Sequence, residues 1–192
     1  MKESDFIEKC IKSTKVFSGK LLHVYSDRVE VANGYRSIRE YIKHPGAAVV
    51  IPYTGNGKIF MIRQFRYPIG RTMIELPAGK IDPGEDSETT IKREIGEETG
   101  YEARTMIKLR PIHTCIGYSN ELIDLFWASD LFPSNHQPDP DEKIELMEMT
   151  ISAAMELIYT GQITDSKTLI GLFWAEKIFR DKSMRDKFQI TL

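Results

Sequence analysis

Three glutamates lie close together in the sequence at spacings that match one face of a helix. Glu94, Glu97 and Glu98 are three and four residues apart, so on a helix their carboxylates share a face. Like charges at these spacings cost roughly 0.2–0.5 kcal/mol per pair. Arg93 can relieve Glu97, but one arginine cannot neutralise three carboxylates. A hard divalent cation such as Mg²⁺ binds carboxylate oxygens and commonly substrate phosphates as well. The stretch therefore predicts a metal site for phosphate chemistry, with a capped acidic surface helix as the alternative.

The residues around the glutamates predict a glycine loop that runs into a short helix. Asp86 or Ser87 suits the N-cap, and Gly100 suits the left-handed residue that follows the last turn. Ile91 and Ile95 lie four residues apart and form an apolar stripe. This stripe should anchor the helix on a sheet and leave the glutamates facing a cleft.

Three arginines gather near the end of a predicted strand at 58–67. Arg63 and Arg66 lie within this strand, and Arg71 follows it. The guanidinium fork matches anionic oxygens, above all those of phosphate. For any single arginine a solvated strand end is the simpler interpretation, but together the three indicate an anionic ligand.

The composition is that of an ordinary globular protein. The 192 residues suit one domain with appendages. A net charge of −2 gives no overall basic field for nucleic acid or a membrane surface, and no apolar run reaches the length of a bilayer span. Cys10 and Cys115 form no disulfide framework, and no signal peptide is evident, so we expect a reducing cytoplasm.

The chain order predicts a mixed sheet with helices packed against it, α+β to α/β in character. Residues 1–13 are a polar lead-in. Residues 14–44 form a small antiparallel sheet with an Asn33-Gly34 type I′ turn. This sheet is either an arm for dimerisation or substrate covering, or an edge of the main sheet. The remaining strands are expected at 47–53, 58–67, 73–79, 102–117, 121–131 and 142–151, with helices at 152–161 and 165–182, a surface loop at 133–141 and a tail at 183–192.

The glycine loop and helix together resemble the signature of the Nudix hydrolases. The matching positions are Gly79, Glu85, Arg93, Glu94, Ile95, Glu97, Glu98, Gly100 and Tyr101. Tyr101 stands where an aliphatic residue is commoner. Beyond this box, residues 14–180 look like the ADP-ribose pyrophosphatase branch, which includes nucleoside diphosphate sugar hydrolases.

This resemblance implies a fold, an assembly and a substrate class. The fold would be a Nudix-type α/β/α sandwich with a mixed sheet, formed by residues 46–192. Residues 1–45 would be an N-terminal antiparallel sheet that serves as the dimerisation arm of a homodimer. The partner would be a small nucleoside diphosphate sugar, with neither nucleic acid nor membrane involved.

The resemblance also implies the metal centre. The ligands would be the carboxylates of Glu94 and Glu98, assisted by Glu97, and the backbone carbonyl of Ala78. The cofactor would be Mg²⁺, with Mn²⁺ as the alternative. Arg93 and Glu85 would orient the loop and helix, so that Arg93 and Glu97 support catalysis.

Further residues follow from the resemblance for substrate and base. Arg66 matches a phosphate- or ribose-contacting arginine, and the other substrate-binding positions would be Arg63, Glu75 and Gly117. Glu142 aligns best with the acidic residue that acts as base or further metal ligand. Since Pro140 stands where some relatives carry a second glutamate, the base would be Glu142, Asp141 or a metal-bound hydroxide. A solvated loop charge is the alternative for Glu142.

The implied reaction is hydrolysis of the pyrophosphate bond of ADP-ribose or a related nucleoside diphosphate sugar. Relatives that prefer ADP-ribose usually carry Ser-Pro where this chain has Cys115-Ile116, which weakens that substrate choice. Another sugar nucleotide such as GDP-mannose, or a non-catalytic nucleotide-sugar sensor, are the alternatives. Nucleic-acid decapping is disfavoured, because the chain has no basic stripe.

Overall fold

The computed structural model describes residues 1–136 and 143–192. The described chain divides into two compact units. The first comprises residues 1–45 and 113–122, and the second comprises residues 46–112 and 123–192. Within the described residues, no helix has the length and apolar character needed to cross a membrane.

The first unit is built on a three-stranded antiparallel sheet. Its strands are β1 (Lys9–Ser18), β2 (His23–Glu30) and β3 (Arg36–Ile42), in that spatial order. A 3₁₀ helix, Glu3–Phe6, precedes them. The segment 113–122 joins the same unit through a parallel bridge between Ile42 and Ser119.

Two sequence predictions for this sheet were wrong. The first strand begins at Lys9 rather than Thr14, because β2 is long enough to pair Lys9 with Glu30. The turn at Asn33-Gly34 is not type I′, since only Gly34 has a positive φ, of 79°. Gly34 N–H instead donates to Val31 O at 2.8 Å, as in a type I turn followed by a left-handed glycine.

In its described residues, the second unit contains a seven-stranded mixed sheet and four α-helices. Its main strand order is β10-β5-β4-β9-β8, with β6 on β5 and β7 on β4. β4 and β9 run parallel, while β5 is antiparallel to β4, β6 and β10. The elements are β4 (Ala47–Gly55), β5 (Lys58–Arg66), β6 (Arg71–Glu75), β7 (Ala78–Lys80), α1 (Ser87–Thr99), β8 (Tyr101–His113), β9 (Leu122–Pro133), β10 (Ile144–Thr150), α2 (Ile151–Tyr159), α3 (Ser166–Arg180) and α4 (Lys182–Phe188).

Alternation along β4 produces the layered architecture. Successive side chains of a strand point to opposite faces of its sheet. Ala48 and Val50 pack with Ile91 and Ile95 of α1, whereas Val49 and Ile51 pack with residues of α2 and α3 such as Ala154 and Leu172. Helices therefore cover both faces of the mixed sheet, which confirms the predicted α/β/α arrangement.

The end of the chain corrects one further prediction. Residues 183–192 were expected to be a tail, but most of them belong to α4. Asp181 has extended backbone angles that end α3, and its side chain accepts from Ser183 N–H at 2.9 Å, which caps α4.

Part of the predicted loop at 133–141 lies outside the described residues. Glu142 also lies outside them.

Candidate functional site

Helix α1 begins and ends where its sequence indicates. Asp86 is the N-cap and accepts from Thr89 N–H at 2.8 Å. Gly100 follows the last turn with a left-handed φ of 73°. Ile91 and Ile95 are fully buried against the sheet. These local signals fix the rotation of α1, and with it the direction of the glutamates on its other side.

The backbone of β7 lies directly against the glutamates of α1. A Cβ atom added to Gly79 would lie 1.9 Å from Oε1 of Glu94, so a side chain at this position would displace that carboxylate. Ala78 N–H donates to Oε2 of Glu98 at 2.9 Å. Pro77 O accepts from Val50 N–H at 2.9 Å, which ties the same loop to β4. Two of the predicted metal ligands are thus held against the loop that carries the third.

Arg93 joins three carboxylates in what we call the helix cluster, which consists of Glu85, Arg93, Glu94, Glu97 and the neighbouring Glu98 of α1. Its Nε and Nη2 donate to Glu85 at 3.1 and 3.2 Å, and its Nη1 donates to Glu94 at 2.9 Å and to Glu97 at 2.8 Å. The hydrogen bonds to Glu85 raise the pKa of Arg93 well above its usual range. The same contacts lower the pKa of Glu85.

The helix cluster has the donor chemistry of a divalent metal site but not a closed geometry. Within residues 1–136 and 143–192, no three His, Cys, Asp or Glu side chains are arranged to hold a metal ion, and Arg93 bonds to Glu94 and Glu97. The available donors are carboxylate oxygens and the nearby backbone of Ala78, all hard oxygens that suit Mg²⁺. A divalent cation fits these residues, since one arginine leaves their negative charge in excess.

A second group of charges, the strand cluster, consists of Arg66, Glu75, Asp165 and Lys167. Arg66 donates to both oxygens of Glu75, from Nε at 2.7 Å and from Nη2 at 2.8 Å. Lys167 Nζ contacts Glu75 as well and bonds to Asp165 at 2.8 Å. The Glu75 side chain is only 2% exposed. Burial raises the pKa of Glu75, but the Arg66 hydrogen bonds and the charge of Lys167 outweigh burial and hold this pKa below its usual range.

The structure brings two of the three predicted arginines together, since Arg66 and Arg71 are direct partners in the β5–β6 register, but it separates Arg63 from them. Arg63 and Arg66 are three residues apart in β5, so their side chains leave opposite faces of the sheet. Arg63 Nη2 bonds to Glu145 at 2.8 Å, and its buried Nε has no partner among the described residues. Arg71 Nη2 donates to Thr164 Oγ1 in a long hydrogen bond of 3.4 Å. Of these arginines, Arg66 is the one that the strand cluster orients.

Gly117 and Glu142 are two further residues predicted for the site. Gly117 belongs to the first unit, in a turn closed by Tyr118 and Ser119 N–H groups that donate to Cys115 O at 3.0 and 2.9 Å. Glu142 is outside the described residues. Sequence reasoning missed Lys167 as a site residue. The sequence does place Glu75 in the apolar stretch MIELP, which indicates a buried carboxylate that requires a cation. The sequence does not show which lysine or arginine supplies that cation.

Two cavities of the second unit differ in their relation to the predicted site. A cavity of about 690 Å³, lined by residues that include Phe60, Tyr101 and Glu148, contains none of the predicted site residues. A smaller one of about 230 Å³ lies beside Arg93 and is bordered by Lys92, Glu102, Ala103 and His136. Cavity size therefore does not locate the site, and the arrangement of charges is the better guide.

Comparison with known proteins identifies close relatives in sequence and in fold. A model of the NUDIX domain matches residues 43–169. The chain is 42% identical to the ADP-ribose pyrophosphatase of Bacillus subtilis (strain 168), over 84% of this chain and 88% of that protein. It is 41% identical to the methanol dehydrogenase activator of Bacillus methanolicus, over 87% of this chain and 91% of that protein. A crystal structure of an ADP compounds hydrolase shares the fold, with a TM-score of 0.80 at 21% identity, covering 90% of this chain and 94% of the other.

Proposed function

Since this chain belongs to the NUDIX family and is a Nudix hydrolase, we propose that it hydrolyses the pyrophosphate bond of ADP-ribose or a related nucleoside diphosphate sugar. The products would be a nucleoside monophosphate and a sugar phosphate, which for ADP-ribose are AMP and ribose 5-phosphate. The observation that carries the proposal is the contact of the α1 carboxylates with the β7 backbone, at Gly79 and Ala78. The 42% identity to an ADP-ribose pyrophosphatase supports the substrate class.

Nudix hydrolases generally use a divalent metal, and here we propose Mg²⁺, with Mn²⁺ as the alternative. Glu94 and Glu98 would hold the ion, with Glu97 and the carbonyl of Ala78 as further donors. When bound, a divalent ion supplies charge neutralisation for phosphate and a lowered pKa for a coordinated water. The excess of carboxylates over cations in the helix cluster supports this assignment.

The protein's own groups would then bind and orient the reactants. Arg93 orients Glu94 and Glu97 through its two Nη1 hydrogen bonds, and Glu85 in turn fixes Arg93. Arg66 would bind anionic oxygens of the substrate, because Glu75 fixes its guanidinium while the side chain remains 39% exposed. Arg63 and Gly117 remain proposed substrate contacts, and Glu142 remains the proposed base.

The homodimer is proposed on the resemblance and on the surface of the first unit. Every residue of β1 is exposed, and its apolar residues Ile11, Val16 and Phe17 are each about half exposed. An edge strand with exposed apolar side chains is a surface that proteins commonly cover. Sedimentation should give twice the 22.1 kDa mass of the chain. A monomer at working concentrations would rule this assembly out.

The proposed compartment is the reducing cytoplasm. Both cysteines, Cys10 and Cys115, are free thiols, which is the usual state in that environment. Labelling of both thiols in protein isolated under non-reducing conditions would support the assignment, and a disulfide-linked species would contradict it.

A substrate panel with product identification tests the proposed function. ADP-ribose, GDP-mannose, UDP-glucose, NADH and dinucleoside polyphosphates are incubated with saturating Mg²⁺, and the products are separated by ion-exchange chromatography. We expect a nucleoside monophosphate and a sugar phosphate from ADP-ribose or another sugar nucleotide. Selective cleavage of GDP-mannose would retain the reaction and change the substrate. Binding without turnover of any compound would overturn the proposal in favour of a sensor.

A further inference from the structure

Lys167 occupies an unusual position for a lysine. Its side chain is only 13% exposed, and its Nζ contacts Glu75 and Asp165 together. Lysine is among the residues least often buried without a partner. The contact with Glu75 joins residues 92 positions apart in the sequence, so α3 carries a cation to the end of β6.

The same turn of α3 also fixes the backbone next to Glu75. Thr168 is fully buried, and its Oγ1 accepts from Leu76 N–H at 3.0 Å. Thr168 Oγ1 donates in turn to Asp165 Oδ2 at 2.6 Å. The first turn of α3 therefore fixes both the side chain of Glu75 and the peptide bond between Glu75 and Leu76. Glu75 lies three residues before Ala78.

The strand cluster determines which edge of the Arg66 guanidinium is occupied. Glu75 binds the edge formed by Nε and Nη2, so the edge formed by Nη1 and Nη2 is directed away from Glu75. That outer edge has the geometry for bidentate binding of a phosphate. Lys167 shares Oε2 of Glu75 with Arg66, so that Arg66 is not the only cation that balances this buried carboxylate.

We propose that Lys167 is a positioning residue: by fixing Glu75 it holds the guanidinium of Arg66 in the orientation that binds the pyrophosphate of the substrate. This inference rests on the proposed function and adds a residue to it. Without Lys167, Glu75 would gain freedom to rotate, and Arg66 would lose the fixed orientation of its outer edge. The effect should fall on substrate binding rather than on the reacting groups of α1.

The test uses Lys167→Met, with Lys167→Arg as the conservative variant and Lys177→Met as the matched control. Lys177 lies on the same helix and pairs with Asp181 at 2.8 Å, but its side chain is 59% exposed. We expect Lys167→Met to raise KM for ADP-ribose about tenfold, as for loss of a hydrogen bond to a charged group, with kcat nearly unchanged. Lys167→Arg should restore most of the affinity, and Lys177→Met should leave KM unchanged.

A second readout follows Arg66 directly and does not need turnover. The Nε–H signal of Arg66 in ¹⁵N-labelled protein is assigned by its loss in Arg66→Lys. In Lys167→Met its exchange with solvent should be faster by about tenfold, because the hydrogen bond to Glu75 loosens. A melting curve for each variant confirms folding, and Lys167→Gln serves where the methionine variant does not fold.

The outcomes separate this inference from the proposed function. If no sugar nucleotide is cleaved by the wild-type protein, the proposed function fails, and the Arg66 signal alone decides the positioning claim. If Lys167→Met melts at a lower temperature while KM and the Arg66 exchange rate are unchanged, Lys167 is only structural and the inference is overturned. A higher KM together with faster exchange supports it.

Discussion

The strand cluster and the helix cluster lie in the same unit, but their charges are balanced differently. In the strand cluster, two carboxylates meet two cations, and Glu75 at its centre is 2% exposed. In the helix cluster, Arg93 hydrogen-bonds three of the four carboxylates, those of Glu85, Glu94 and Glu97. Those carboxylates are 16–21% exposed. The strand cluster is charge-balanced around one buried carboxylate, whereas the helix cluster carries excess negative charge.

This difference indicates what each cluster is for. A charge-balanced group around a buried carboxylate keeps its geometry, because breaking one pair would leave an uncompensated charge in the protein interior. Such a group suits the orientation of Arg66. A group with excess negative charge can accept a further cation without displacing its arginine. We therefore expect substitutions in the helix cluster to change metal-dependent chemistry and substitutions in the strand cluster to change substrate binding.

The largest effect is expected for Glu98→Gln. The amide keeps the shape of the side chain but removes the negative charge beside Ala78. The turnover number should fall by at least about 10²-fold, as for loss of other key electrostatic contacts, while the circular dichroism spectrum is unchanged. Glu88→Gln on the same helix is the control, since Glu88 is 55% exposed and pairs with Lys92. Unchanged turnover of Glu98→Gln at saturating Mg²⁺ would contradict a role of α1 in the reaction.

The next effect in size is expected for Arg66→Lys. Lysine keeps the charge but cannot make the two parallel hydrogen bonds that Glu75 accepts. The ratio kcat/KM for the sugar nucleotide should fall about tenfold, mainly through KM, as for loss of a charge-assisted hydrogen bond. Steady-state kinetics measure this, and Arg180→Lys, in an exposed pair on α3, is the control. An effect on kcat alone would indicate that Arg66 acts in the metal-dependent chemistry, as expected of the helix cluster, and not in substrate binding.

Arg93→Met should lower the stability of the protein, because it removes the cation of the helix cluster. The substitution leaves three carboxylates without their shared cation. In the absence of metal, the melting temperature should therefore fall by about 2–4 °C for each kcal/mol by which the free energy of unfolding decreases. Added Mg²⁺ should raise the melting temperature of this variant more than that of the wild type, because it binds where repulsion is greater. Lys92→Met provides the neighbouring control. Equal Mg²⁺ responses in all three proteins would contradict the imbalance.

The smallest expected effect is the change in the pH dependence of unfolding in Glu75→Gln, whose melting temperature at pH 7 should itself be lower because Arg66 and Lys167 lose their shared carboxylate. Because the folded-state pKa of Glu75 is lowered, its ionised form contributes stability above the unfolded pKa, and this contribution is lost as pH falls through the folded pKa. The window therefore lies below about pH 4. Melting temperatures from pH 7 to 2.5 should fall less steeply below pH 4 in Glu75→Gln than in the wild type. Parallel curves would show that Glu75 is not held ionised by Arg66 and Lys167.

Local features of this fold could be predicted from the sequence, because their causes are local. The cap, the buried stripe and the terminal glycine of α1 each depend on residues within one or two turns. The dense carboxylates likewise signal a cation, since helical geometry alone places them together. The resemblance to the Nudix box then supplied the family, which the comparisons confirm.

Features that depend on distant partners could not be predicted in this way. The start of β1 at Lys9 depends on the length of β2, and the contact between Lys167 and Glu75 depends on how α3 packs on the sheet. Arg63 and Arg66 looked like one group in the sequence, yet strand alternation separates them. The substrate and base roles of Arg63, Gly117 and Glu142 remain predictions.

Binding of Mn²⁺ tests the contrast between the two clusters most directly. Free Mn²⁺ is followed by electron paramagnetic resonance as each protein is titrated in the absence of substrate. The wild type and Lys167→Met should bind Mn²⁺ with equal affinity, whereas Glu94→Gln/Glu98→Gln should bind at least about tenfold more weakly, because metal affinity depends on its ligands and their partners. Equal Mn²⁺ affinity in the wild type and the double variant would contradict the assignment of the metal to α1.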